Sequence, residues 1–455
     1  MSAQPQSSRQ RGLAHAQAML LGLGRHTLTA CLTTQGRAGL DWSADYRAYS
    51  ARRLEPQAVF DAVLQEALAK RSPSQPRTWL AMDDSTLRKR GRKIPLTAWR
   101  RDPLSPPFAV NFQWGHRVLQ TSLLWKERSG GARALPVAFE ILLNRPSKKQ
   151  RAALEPEALR EAERQANVNH AAIGQLEALA PKINGPFVAA VDGRFANKTF
   201  LRRLPKGASA VARVRKDAAL FHPPENPRSN GRPRLYGQKA PTPEALRQDE
   251  SHAWERVRTH AAGRDHEMKI KTLGPLRSAL TGGADGQLIV IAPLGYRLHA
   301  GGKLLYRQPA YLWVSDLELS AQEAVQGFVW RWEEEVNFRD EKTLLGVGQA
   351  QVRHPHSVER VPAWQVAAYS ALLWSAQTLG DSEPDQAQLP LPKWRGKEKP
   401  PRASTARLIN QLRYDAWAAA LGPQTLNGFW TARSAAQKPE KLTASLAGAI
   451  FYASG

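Results

Sequence analysis

TWLAMDDS, residues Thr78 to Ser85, is a short apolar run that stops at two aspartates. Its composition predicts a buried strand, and PFVAAVDG, Pro186 to Gly193, repeats the pattern with a single acid, Asp192. Between the two, AVNFQWG, RVLQTSLLW and LPVAFEILL read as further strands, and KKQRAALEPEALREAERQANVNHAAIGQLEALA reads as helix. Strand, hairpins, helix, strand is the order of a mixed α/β sheet. Functional groups in open α/β sheets collect beyond the strand ends, so the acids that close these two runs are candidates for chemistry. Taken singly, each aspartate would serve equally well in a turn or a helix cap.

A third acidic stretch, FVWRWEEEVNFRDEKTLLG, runs from Phe328 to Gly346. Ser320 followed by Glu323 has the form of a capping box, which predicts a helix from about Ser320 to about Leu345. At about 100° per residue, Val325, Val329, Trp332 and Val336 make one apolar stripe, predicting that Trp332 packs in the core. Phe328, Arg331, Glu335 and Lys342 share a narrow strip beside it, with Glu334 the nearest competing acid. A solvated face laced with ion pairs explains such a helix as well as a site does. Two strand-end acids and one helix acid supply only oxygen donors, the set preferred by hard divalent cations such as Mg²⁺.

The charge balance narrows the partner. A chain of 455 residues with a formal net charge of +25 repels itself unless a polyanion neutralises it, and nucleic acid is the first candidate. No apolar run approaches the length of a membrane-spanning helix. Cys31 is the only cysteine, which excludes internal disulfides and cysteine-based zinc sites and predicts a reducing compartment. RKRGRK, which supplies Arg88, Lys89, Arg90, Arg92 and Lys93, and GRPRLYGQK, which supplies Arg232 and Arg234, are candidate phosphate-gripping loops. Gly-rich stretches such as TGGADG lack the pattern of a nucleotide-binding loop.

DDSTLRKRG, VDGRF and FVWRWEEEVNFRDEKTLLG together resemble the three acidic motifs of the DDE transposases of the IS4-like superfamily, in the IS701-like branch. In that family's signature helix an aromatic residue, an arginine, a glutamate and a lysine recur at the spacing of Phe328, Arg331, Glu335 and Lys342. Phe328 replaces the family's tyrosine, keeping the ring and losing the hydroxyl. The resemblance implies a ribonuclease H-like α/β mixed sheet with a β-rich insertion and flanking helical N- and C-terminal regions. Its expected segments are a helical DNA-binding region at 1–75, the first part of the core at 76–204, the insertion at 205–317, the catalytic helix and end of the core at 318–380, and a basic linker and helical tail at 381–455.

The same resemblance implies Asp84, Asp192 and Glu335 as catalytic and metal-holding residues, with Asp83 as the alternative first acid. They would hold two Mg²⁺ ions, Mn²⁺ being able to substitute. Arg331 and Lys342 would hold phosphates beside the cut, and Phe328 and Trp330 would contact DNA. The implied activity is transposition: binding double-stranded DNA at terminal inverted repeats, hydrolysing the ends and joining the 3′ ends to target DNA. A homodimer in the DNA complex and a nucleoid-associated place in a bacterial cytoplasm are expected with it. A derived DNA-binding protein without activity, and a nuclease without strand transfer, are the competing readings.

Overall fold

The computed structural model describes residues 6–72, 75–102, 105–106, 108–225, 233–297, 299, 301–382 and 402–421. Arg232 and most of the basic linker QLPLPKWRGKEKPPR lie outside them. Strands among the described residues are β1 (Thr78–Arg88), β2 (Ala98–Arg101), β3 (Phe112–Lys126), β4 (Ala132–Ile141), β5 (Phe187–Val191), β6 (Ala208–Arg213) and β7 (Leu220–Phe221). They continue with β8 (Glu255–Ala261), β9 (Arg264–Ser278), β10 (Asp285–Ile291), β11 (Gly295–Tyr296), β12 (Leu305–Tyr306) and β13 (Ala310–Val314). The chain divides into two compact units, one built from 1–63, 87–115 and 338 onward, the other from 64–86 and 116–337.

The second unit carries the sheet, in the order β3-β1-β5-β6-β13-β10-β9-β7, with β4 on β3 and β8 on β9. β1, β5 and β6 are parallel neighbours, while β13, β10 and β9 continue the sheet antiparallel. This is the ribonuclease H-like mixed sheet expected from the resemblance; within residues 205–317, β6 to β10 and β13 belong to it, while β11 and β12 form a separate two-stranded sheet. β5 is buried at all five positions, the pattern of a parallel strand covered on both faces. Against one face lies an apolar cluster that includes Val188, Val211, Ile289, Leu312, Ala324 and Val325, with Trp79 and Phe328 at its margin. No helix among the described residues is long and apolar enough to cross a membrane.

The first unit joins the N-terminal helices to the helix Pro355–Ser382. Met19, Cys31, Tyr49 and Leu54 share a core with Val361 and Trp364. The expected long helix between the hairpins and β5 is three helices, Lys148–Ala153, Pro156–Gln165 and Val168–Ile183. Pro156 sits in the first turn of the second, and Asn167 caps the third by accepting from the Asn169 backbone N–H.

Candidate active site

β1 does not stop at its acids: it runs on to Arg88, while pairing with β5 ends at Met82 opposite Val191. Asp83 and Asp192 therefore follow one another's register at the point where the two parallel strands part. Side chains alternate along a strand, so Trp79, Ala81 and Asp83 face one side and Asp84 the other. The contacts agree. Asp83 Oδ2 lies 3.3 Å from Arg331 Nη1, whereas Asp84 is held at 2.7 Å by Arg117 Nε and at 2.9 Å by Arg194 Nε. On this geometry Asp83 is the acid that faces Asp192, and Asp84, the expected first acid, is turned to the other side and paired with two guanidiniums. The sequence motif favoured Asp84, with Asp83 as the alternative, and carries no information on the register with β5, which decides which of the two shares a face with Asp192.

Asp83 is largely buried, and its carboxyl is pushed up to about 7, first by loss of hydration and next by the charge of Asp192. Arg331 works in the opposite sense. Asp192 accepts the Arg194 backbone N–H on Oδ1 at 2.8 Å, the turn geometry expected of a strand-end aspartate.

The acidic helix approaches this face closely. Ser320 and Glu323 form the expected capping box, and the helix Ala321–Trp330 follows. A Cβ on Gly327 would lie 2.0 Å from the Trp79 ring, so only glycine allows the helix to rest on β1 there. One residue, Arg331, interrupts the helical pattern before the helix Trp332–Thr343 begins. Arg331 keeps helical backbone angles and its hydrogen bond to the Gly327 carbonyl, yet the buried face after it is not the one the apolar stripe predicts. Glu334 becomes fully buried, and Trp332 is 57% exposed, against the expectation that it packs in the core. Trp330 is half-buried and packs beside Trp79, Ala81 and Leu124. Its Nε1 is buried without a hydrogen-bond partner among the described residues.

Glu335 is held 2.9 Å from Arg331 Nη2, so one guanidinium bridges Glu335 and Asp83. The same Arg331 guanidinium lies over the Phe328 ring, 5.7 Å from its centre. Among the described residues no three acidic or histidine side chains stand close enough to hold one ion. The donors nevertheless fit a hard divalent cation: Asp83 and Asp192 are neighbouring carboxylates that offer only oxygen, and the Asp83 carboxyl is raised first by burial and then by the Asp192 charge. Glu335 could join them only by leaving Arg331. A cleft of about 1150 Å³ opens beside the acids, lined by Asp192, Glu335, Arg331, Arg213, Lys216 and Arg247, among others. The sequence offered no signal for Arg213, Lys216 or Arg247, which lie outside the charged runs.

The remaining expected contacts separate. Lys89 is buried, donating 2.7 Å hydrogen bonds to the carbonyls of Gly348 and Ala350, so it is a structural pin rather than a phosphate ligand. Burial lowers its ammonium to about 8. Arg88, Arg90, Arg92, Lys93 and Arg234 are exposed. Lys342 belongs to the first unit, with Nζ over the Phe338 ring at 5.5 Å.

A ribonuclease H-like sheet with carboxylates gathered where two parallel strands part defines an α/β protein with a nuclease-like centre. The chain belongs to the family described as DDE superfamily endonuclease, whose model matches residues 4–272. That match includes Asp83, Asp84 and Asp192 and ends before Glu335. A search of curated proteins returned no match.

Proposed function

We propose that the protein is a transposase of the IS4-like superfamily, in the IS701-like branch, with Asp83, Asp192 and Glu335 as its acidic residues. The observation that carries the reading is the side-by-side placement of Asp83 and Asp192, joined to Glu335 through Arg331. The three carboxylates would hold Mg²⁺ or Mn²⁺, two ions in the full complex. When bound, the metal supplies activation of the attacking oxygen and charge stabilisation at the phosphorus. Arg331 is the internal countercharge of Asp83 and Glu335. A DNA phosphate entering the cleft competes for its guanidinium and frees both acids. Arg213, Lys216 and Arg247 on the cleft wall offer further phosphate contacts, which fix register without reading bases.

The substrate is double-stranded DNA ending in the element's inverted repeats, paired by two copies of the chain at the bacterial nucleoid. The N-terminal helices supply end recognition. The test incubates the full-length protein with Mg²⁺, labelled end DNA and a supercoiled target. Joined products support transposition, cleavage alone supports a nuclease without strand transfer, and binding alone supports an inactive derivative. Asp83→Asn, Asp192→Asn and Glu335→Gln should each abolish cleavage and leave end binding largely intact. Inactivation by Asp84→Asn with cleavage retained in Asp83→Asn would overturn the choice of first acid.

A further inference from the structure

We propose that the β2–β3 hairpin of the first unit is a second nucleic-acid contact, a stacking platform for unpaired bases of DNA. β2 pairs with the start of β3 so that Trp99 lies opposite Trp114 and Arg101 opposite Phe112. Cross-strand partners share a face, so one side of the hairpin carries three aromatic rings and a guanidinium. The two indoles meet at 5.7 Å and 72°, and the Arg92 guanidinium lies 4.7 Å from one ring and 4.8 Å from the other. Trp114 is further fixed by donating from Nε1 to the Gly91 carbonyl at 3.1 Å.

Core packing does not account for this face. Trp99 is 56% exposed and Phe112 61% exposed. The opposite side does the packing: Arg100 donates to the Gly115 carbonyl, and a Cβ on Gly115 would stand 2.2 Å from the Leu87 carbonyl oxygen. The acid that follows β2, Asp102, is paired with Arg88 at 3.3 Å and leaves the aromatic face cationic. Rings interleaved with guanidiniums suit a polyanion with flat π-faces, because bases stack on the rings and phosphates pair with the cations. Bases inside a duplex have their faces covered, so the occupant is a single-stranded stretch. The platform and the carboxylates belong to different compact units, so its test stands apart from theirs.

The full-length protein in EDTA is titrated against a fluorescein-labelled oligothymidine and against a blunt duplex, with anisotropy as readout. Trp99→Ala should weaken single-strand binding about 10-fold, leave duplex affinity within about twofold, and be largely rescued by Trp99→Phe. Arg92→Gln should weaken single-strand binding as well. Unchanged single-strand affinity in Trp99→Ala overturns the proposal, as does an equal loss for both DNAs. Self-association that disappears in Trp99→Ala at unchanged DNA affinity assigns the face to a second copy of the chain and overturns it too.

Discussion

Replacing Asp83 by asparagine should stabilise the metal-free protein, and by more in mild alkali than in mild acid. Asp83 is 16% exposed and its folded-state carboxyl sits at about 7, against an ordinary value of 3.8. A carboxyl raised in the folded state stabilises while it is protonated, and that stability is lost as pH rises from the unfolded value through the folded one. A difference of about three pH units corresponds to roughly 4 kcal/mol lost above pH ~7, of which only about 1.5 kcal/mol is lost at pH ~5. Asparagine keeps the shape and carries no charge at either pH. Urea unfolding in EDTA should therefore give the variant an advantage that grows by about 3 kcal/mol between pH ~5 and pH ~8. The Arg331 charge opposes the rise and is already contained in the value of about 7, so it makes no separate contribution to the slope. Asp192→Asn should show the same sign with a smaller slope, because burial outweighs the Asp192 charge in raising Asp83. A pH-independent difference, or a variant less stable in alkali than in acid, would refute the raised Asp83 carboxyl, and no slope at all in Asp192→Asn would refute the coupling of the two acids.

Gly327→Ala should lower the thermal midpoint through a cost of about 1–3 kcal/mol, since the new methyl overlaps the Trp79 ring; an unchanged midpoint would mean that the helix rests elsewhere. Lys89→Met should lose about 2–3 kcal/mol in denaturant unfolding by depriving the Gly348 and Ala350 carbonyls of their donor. The same variant should keep the salt slope of DNA binding, and a slope reduced by about one would return Lys89 to the phosphate contacts. Added Mn²⁺ should raise the thermal midpoint of the wild type and fail to do so in an Asp83→Asn, Asp192→Asn double variant; an equal rise in both would place metal elsewhere.

The parts of this fold visible in the sequence are those fixed by short-range chemistry. Val188, Ala190 and their neighbours read as a buried strand, and Ser320 with Glu323 announced a helix start that the side chains then built. What stayed hidden is set by partners far along the chain. Lys89 reads as one cation in a basic run, yet its role comes from carbonyls 259 and 261 residues away. Trp332 reads as core because a helical wheel ranks faces by apolarity alone, whereas the face the fold covers there carries Glu334, Asn337, Phe338 and Glu341 and leaves Trp332 exposed. The choice between Asp83 and Asp84 has the same origin. Adjacent strand residues differ by half a turn of the period, so which one meets Asp192 is decided by a register with β5 that begins 109 positions downstream, Thr78 against Phe187. The same register fixes the electrostatics. The acid that lands beside Asp192 loses water, gains a like charge and shares Arg331 with Glu335, while its neighbour meets Arg117 and Arg194, so one residue's shift along the strand exchanges a buried acid with half a guanidinium for one held by two.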